Sequence, residues 1–195
     1  MSYDACRINK TMKKFLIILV IVLVIAGGYS WSLYNKMVTG SENVDNAWAQ
    51  VESQYQRRFD LIPNLVESVK GMMSQEKDVF GQLAEARTRY SGASTISEKA
   101  DAATGVESAL GRLLVVMENY PELKSAENVQ TLMVQLEGTE NRISVERQRY
   151  NDSAKEFNIV VKRVPAKWIA SMFGFGEKKY FESAAGSENA PTVKF

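Results

Sequence analysis

Two hydrophobic patterns divide the chain. Between positions 15 and 35 no side chain is charged, and the run Phe15-Leu16-Ile17-Ile18-Leu19-Val20-Ile21-Val22-Leu23-Val24-Ile25-Ala26 is wholly apolar. A helix about 20 residues long and apolar on every face matches the hydrocarbon core of a bilayer, so 15–35 is expected to be a transmembrane helix. Past Gly40 the pattern changes. Val44, Trp48, Val51, Tyr55, Phe59, Ile62, Val66, Val69 and Met73 recur every three or four positions, the period of a helix with one buried stripe. Pro63 falls inside that stripe and removes one backbone hydrogen bond, but the phase continues past it, which predicts a single helix bent near 59–63.

Three further stripes follow. Ser74 suits the N-cap of a second helix carrying Val79, Leu83, Ala86 and Tyr90, closed by the loop Ser91-Gly92-Ala93-Ser94-Thr95. A third starts near Ser97 and carries Val106, Leu110, Leu113, Leu114 and Met117. The fourth and longest begins within 121–125, with Val129, Leu132, Leu136, Ile143, Tyr150, Phe157 and Val161 along one side. No segment reads as a strand. The predicted fold is all-α: an N-terminal transmembrane helix followed by an antiparallel bundle of about four long helices, because short connections make neighbours antiparallel. The expected divisions are an N-terminal cytoplasmic tail at 1–14, the span at 15–35, the bundle at 36–164, and an amphipathic segment and tail at 165–195.

Charge sets the direction of the span. Arg7, Lys10, Lys13 and Lys14 precede it, whereas only Lys36, then Glu42 and Asp45, follow. The positive-inside rule therefore puts the N-terminus in the cytoplasm and the bulk of the chain on the other side. Tyr29, Trp31 and Tyr34 stand where an outer aromatic belt belongs. A cleaved signal peptide is the competing reading, since Lys13-Lys14, an apolar core and the small residues Ala26, Gly27 and Gly28 have that shape. Against it stand the length of the uncharged run, the lack of an A-x-A site and the aromatic cluster. Met12-Lys13-Lys14 resembles a natural start, which would make 1–11 an upstream extension; as a juxtamembrane cysteine, Cys6 could otherwise be acylated.

Composition removes several kinds of chemistry. Lys plus Arg is 24 and Asp plus Glu 23, a balance without the basic field that draws in nucleic acid. Cys6 is the only cysteine and there is no histidine, so no intrachain disulfide forms and the commonest general base and metal ligand is missing. Neither a G-x-x-x-x-G-K-[ST] nor a G-x-G-x-x-G loop occurs. A di-metal bundle site would want E-x-x-H motifs, which cannot arise here. Most helix carboxylates have basic neighbours three or four positions away, such as Glu85 with Arg89 and Arg142 with Glu146, as on any solvated helix face. No catalytic, cofactor-binding or metal-binding residue is therefore assigned, and no cofactor is expected.

Some charges sit in unusual places. Glu140 and Arg147 fall on the stripe of the fourth helix, and Arg58 lies beside that of the first. Arg58 is 24 residues beyond Tyr34 and Glu140 is 25 before Pro165, so both stand roughly 36 to 38 Å along their helices from the membrane-proximal end. A cross-helix cluster of Arg57 or Arg58, Asp60, Glu140 and Arg147 is expected, and a structural ion-pair layer is favoured over catalysis.

The stretch Arg57-Arg58-Phe59-Asp60-Leu61-Ile62-Pro63-Asn64-Leu65-Val66-Glu67-Ser68-Val69-Lys70-Gly71 resembles the signature of the LemA family. So do Leu110-Gly111-Arg112-Leu113-Leu114, Glu118-Asn119-Tyr120-Pro121-Glu122-Leu123-Lys124, Glu140-Asn141-Arg142-Ile143, Arg149-Tyr150-Asn151 and the closing Pro191-Thr192-Val193-Lys194-Phe195. Arg163-Val164-Pro165 departs from the pattern, which usually shows an aromatic before the proline, and Trp168 is bulkier than expected. The resemblance implies a single-pass anchor with an antiparallel bundle, and adds Pro63 and Asn64 of the signature as interaction candidates. It implies a place in the bacterial cytoplasmic (inner) membrane, in company with a membrane protease or in the shaping of internal membranes.

Trp168, Ile169, Met172, Phe173 and Phe175, with Lys178 and Lys179 after them, crowd apolar bulk past Pro165. A surface-lying interfacial helix uses such residues, Trp168 and Phe173 foremost; the alternative is that they cap the lower end of the bundle core. The function expected is that of a non-enzymatic interaction or scaffold module at the membrane, its partners being membrane lipid, a membrane protease or other membrane protein, and a second copy of the chain, with no nucleic acid. An extracytoplasmic sensor or ligand-binding bundle is the alternative, and a hydrolase working through Glu140 and Asp60 ranks last.

Overall fold

The computed structural model describes residues 3–181, and the ordered elements among them are helical. They are α1 (Tyr3–Lys70), α2 (Lys77–Gly92), α3 (Ile96–Met117), α4 (Pro121–Ser125), α5 (Glu127–Lys162) and α6 (Ala166–Phe173). The closing block 191–195, like the rest of the tail past Phe181, lies outside the described residues. The apolar run and the first bundle stripe belong to one unbroken helix of 68 residues that passes through Pro63. Two compact units divide the chain, one from 1–43 with 155–178 and the other from 44–154 with 179–195.

The second unit is the bundle. Trp48 lies against Tyr150 and Arg58 meets Glu140, so α1 and α5 run antiparallel. Gln82 bonds Arg112 and Glu76 bonds Tyr120, which makes α2 and α3 antiparallel as well. Glu52 with Lys99 and Tyr55 with Glu107 show α1 and α3 rising together. Val44, Val51, Tyr55, Ile62, Leu65, Val69 and Met73 of the first stripe are buried with Leu83, Val106, Leu110, Leu113 and Ile143. One position differs from the sequence pattern: Leu65 is fully buried where Val66 was expected, and Val66 is half-buried. At 3.6 residues per turn Leu65 and Val66 lie on opposite sides of Ile62, about 60° and 40° away, so the period alone does not choose between them and the packing covers Leu65.

Helix ends account for the other differences. Ser74 caps nothing; the chain turns through it and α2 begins at Lys77 behind Glu76. Thr95 caps α3, accepting from the Glu98 N–H while the Glu98 carboxylate accepts from the Ser94 and Thr95 amides. That capping box satisfies otherwise orphaned donors, and the two amides hold the Glu98 carboxyl below its ordinary value. The fourth predicted helix is two: Pro121 opens the single turn α4, Ala126 is extended, and α5 starts afresh at Glu127. Glu146 pairs with Arg149 at 2.8 Å rather than with Arg142.

In the first unit the apolar run of α1 is uncovered. Side chains from Phe15 to Ile25 are all exposed, Val24 by 68% and Leu19, the least, by 46%, and the run has the length and composition of a membrane span. This segment anchors the protein in a membrane, because no water-soluble helix leaves every face apolar and bare. Further along, Met37 and Val161 are buried and Gly40 faces the Phe157 ring. A Cβ at position 40 would stand 3.1 Å from that ring, so glycine lets the aromatic side chain approach the α1 backbone.

Candidate functional site: a charged layer and a clamped strap

The largest concentration of polar groups in the bundle is one layer crossed by four helices. Arg58 of α1 is buried, and its guanidinium bonds the Glu140 carboxylate of α5. Glu107 of α3 sits 3.9 Å from Arg58 and 3.7 Å from Arg147 of α5, and accepts from the Tyr55 hydroxyl at 3.4 Å. Tyr90 of α2 completes the layer, with its ring 5.9 Å from Tyr55 and edge-on to Phe59 at 4.5 Å. Two arginines therefore face two carboxylates, and the layer carries no net charge. These polar residues reach the same level because α1 and α3 rise while α5 descends.

Burial governs the protonation of the layer. Desolvation pushes the Glu107 carboxyl up and Glu140 adds to it, while Arg147 and Arg58 pull the other way. The Tyr55 hydroxyl is raised well above its ordinary range by burial and by Glu107, and Tyr90 is pushed up to about 12, again chiefly by burial. Both phenols are thus held protonated as donors. The Nε atoms of Arg58 and Arg147 and the Tyr90 hydroxyl are buried without a hydrogen-bond partner among the described residues. Buried charges so incompletely satisfied are weak evidence for a large contribution to stability.

Of the residues proposed from sequence, Arg58, Glu140 and Arg147 come together here. Arg57 and Asp60 do not: both are exposed, and Asp60 accepts from Gln56 at 2.9 Å on the α1 surface. Pro63 is half-buried in α1, and Asn64 is exposed with its carbonyl accepting from the Ser68 hydroxyl. Glu107 was missed. It stands next to the Val106-Leu110-Leu113 stripe, as Arg58 stands next to Tyr55 and Phe59, and that shared flanking position was the available signal.

A second polar arrangement holds the chain after α6. In the bundle unit Asn151 accepts from the Phe181 amide and donates to its carbonyl, at 2.8 and 3.1 Å, and the Tyr150 hydroxyl donates to the Lys179 carbonyl at 3.0 Å. The Phe181 ring stacks on Trp48 at 5.6 Å and lies edge-on to Tyr150, with the Arg147 guanidinium 4.8 Å above it. In the other unit Asn158, itself buried, clasps the Lys178 amide and carbonyl at 2.8 Å each. An asparagine side chain that takes both backbone groups of one residue holds an extended segment much as a neighbouring strand would.

The LemA family profile matches residues 47–195, which include the charged layer and both strap contacts of the bundle unit. The chain belongs to the LemA family. Among curated relatives, Magnetosome protein MamQ 2 and Magnetosome protein MamQ 1 of Paramagnetospirillum magneticum are each 29% identical over 175 residues, covering 76% of this chain and 64% of their own. Magnetosome protein MamQ of Magnetospirillum gryphiswaldense is 28% identical over 182 residues, covering 78% of this chain and 66% of its own. The LemA chain thus spans a little under two thirds of the length of the curated relatives it matches.

The last candidates, Trp168 and Phe173, lie on α6 in the unit of the span. α5 ends at Lys162 and Pro165 stands at the N-cap of α6, which buries Ala166 and Ala170 while leaving Trp168 67%, Met172 79% and Phe173 57% exposed. Gly174 closes the helix in the left-handed conformation, where its missing Cβ avoids strain. Phe173 and Phe175 both meet Tyr34 of α1, at 4.9 and 5.8 Å, and Phe175 also meets Phe157. The segment is therefore split: its alanine face and Phe175 pack inward, and Trp168 and Met172 do not.

Proposed function

We propose that this LemA-family protein is a single-pass scaffold of the bacterial cytoplasmic membrane, non-enzymatic, with its N-terminus in the cytoplasm and its bundle on the outer side. The observation that carries the reading is the use of polar residues in the bundle. Arg58, Arg147, Glu107, Glu140 and the Tyr55 hydroxyl of the layer are engaged with one another, and the asparagines are engaged with the strap, which supports an architectural use of these polar residues. The relatives are named for a structure rather than for a reaction, which favours a part in an assembly. Membrane lipid, a membrane protease or other membrane protein, and a second copy of the chain are the proposed partners.

Crosslinking in intact membranes followed by affinity capture and mass spectrometry tests the scaffold. A defined membrane-protein partner is expected; a co-purifying small molecule with no protein partner would favour a ligand-binding bundle instead. Orientation is tested separately. With Cys6→Ser as background, Ser144→Cys on the exposed face of α5 should react with an impermeant maleimide in spheroplasts, and labelling only after lysis would place the bundle in the cytoplasm.

A further inference from the structure

Among the described residues nothing covers the exposed face of α6. Trp168 and Met172 are one helical turn apart on the face opposite the buried Ala166 and Ala170 and form an exposed apolar strip, while Phe173, about 100° round the helix from Met172, is exposed at its edge. An apolar strip of this size in water is costly unless something covers it. Its position indicates what does. Phe173 touches Tyr34, the last aromatic of the belt that ends the apolar span, and Trp31, itself 69% exposed, stands one turn nearer the span and 6.5 Å from Tyr34. Neighbouring rings, Trp31, Tyr34 and Phe173, thus join α6 to the aromatic belt of the membrane anchor.

From this we infer that α6 lies in the headgroup region of the same bilayer leaflet and is a second, lipid-binding contact of the protein. Trp and Phe are the side chains that occupy that boundary, because each offers an apolar body, and Trp also a polar N–H, where hydrocarbon gives way to water. The flanking cations fit the same surface: Lys36, Arg163 and Lys167 are exposed in this unit, and basic residues beside an apolar strip add attraction to anionic headgroups. The inward packing of Phe175 on Tyr34 and Phe157 holds the strip at the end of the span. The inference rests on the membrane anchoring of α1 and adds to it the surface that meets lipid beside the anchor.

Three tryptophans make the test internal. The full chain is reconstituted in vesicles of phosphatidylcholine and phosphatidylglycerol with bromines at known depths on the acyl chains, in variants that keep only Trp31, only Trp48 or only Trp168, the others replaced by Phe. Trp168 should be quenched by shallow bromines about as strongly as Trp31, and Trp48, which is buried in the bundle, should not. Quenching of Trp31 without Trp168 would overturn the inference and leave the anchor standing. Absence of quenching at Trp31 as well would remove both. Because Trp48→Phe touches the packing around Phe181, a nitroxide at Met172→Cys on the Cys6→Ser background gives a second readout: collision with oxygen exceeding that with a water-soluble nickel chelate is expected, and the reverse order would overturn the inference.

Discussion

A single helix, α1, holds two regions that solve opposite problems. From 15 to 26 it is apolar at every position and exposed, whereas from Val44 to Val69 it is apolar at every third or fourth position and buried. Backbone geometry is the same in both; the solvent differs. Where the surroundings are hydrocarbon, all faces are apolar and no side chain needs a protein neighbour. Where they are water, one face is apolar and must be covered by other helices, and the cover decides which residues matter. The same residue type therefore has a different energetic meaning at two places on one helix.

Truncation of a leucine in each region breaks the comparison most directly. Leu65→Ala removes a fully buried side chain from the bundle and is expected to cost about 2 to 5 kcal/mol in urea unfolding followed by circular dichroism in detergent. Leu23→Ala removes one that touches no protein core and should leave that transition where it was. Equal losses at the two positions would mean that the apolar run is packed within the protein after all.

The charged layer sharpens the comparison, because it shows a buried stripe tolerating charge. Arg58→Met leaves Glu140 without its paired arginine and Glu107 with Arg147 alone, and should cost about 3 kcal/mol, toward the low end for a broken buried pair because Glu140 is half exposed. Glu140→Met alone leaves Arg58 with Glu107 and should cost less. The double replacement should cost clearly less than the two single losses together; additive losses would show that the pair is not coupled.

The smallest effect concerns Glu107. Its carboxyl is raised in the folded state, first by burial, so the folded protein binds that proton more tightly than the unfolded chain does. The resulting stabilisation is fully present below the ordinary carboxylate value and is lost as pH rises through the raised one. Glu107→Gln should flatten this part of the stability profile upward from about pH 4, measured as the denaturant midpoint against pH. A profile that keeps the wild-type slope would assign that slope to other groups.

Much of this was open to reading from the chain alone. The span is settled by composition, since 15–35 lacks charge and exceeds what a soluble helix could hide. The helical stripes are settled by period, which is a local property of the backbone and survives the presence of Pro63. Even the level of Arg58 and Glu140 follows from counting residues at a fixed rise per residue. Helix ends are less legible: Ser74 has the side chain of a cap and does not cap α2, whereas Thr95, within the expected loop, caps α3 because Glu98 stands three residues on.

What the tertiary structure decided is partner choice. Arg58 had Asp60 and Glu140 as candidates, but Asp60 is turned to the outside of α1, and Glu107, on a helix 49 residues away in sequence, takes its place. Asn151 and Asn158 find their partners in the backbone of Phe181 and Lys178, which the pattern along α5 does not announce. The division of α6 into an inward alanine face and an outward Trp168–Met172 face likewise depended on where Tyr34 and Phe157 stand. The physical reason is common to all three. Periodicity reports which way a side chain points from its own helix axis, whereas a contact depends on the rotation and height of a second element, and those are fixed only when the whole set of helices packs.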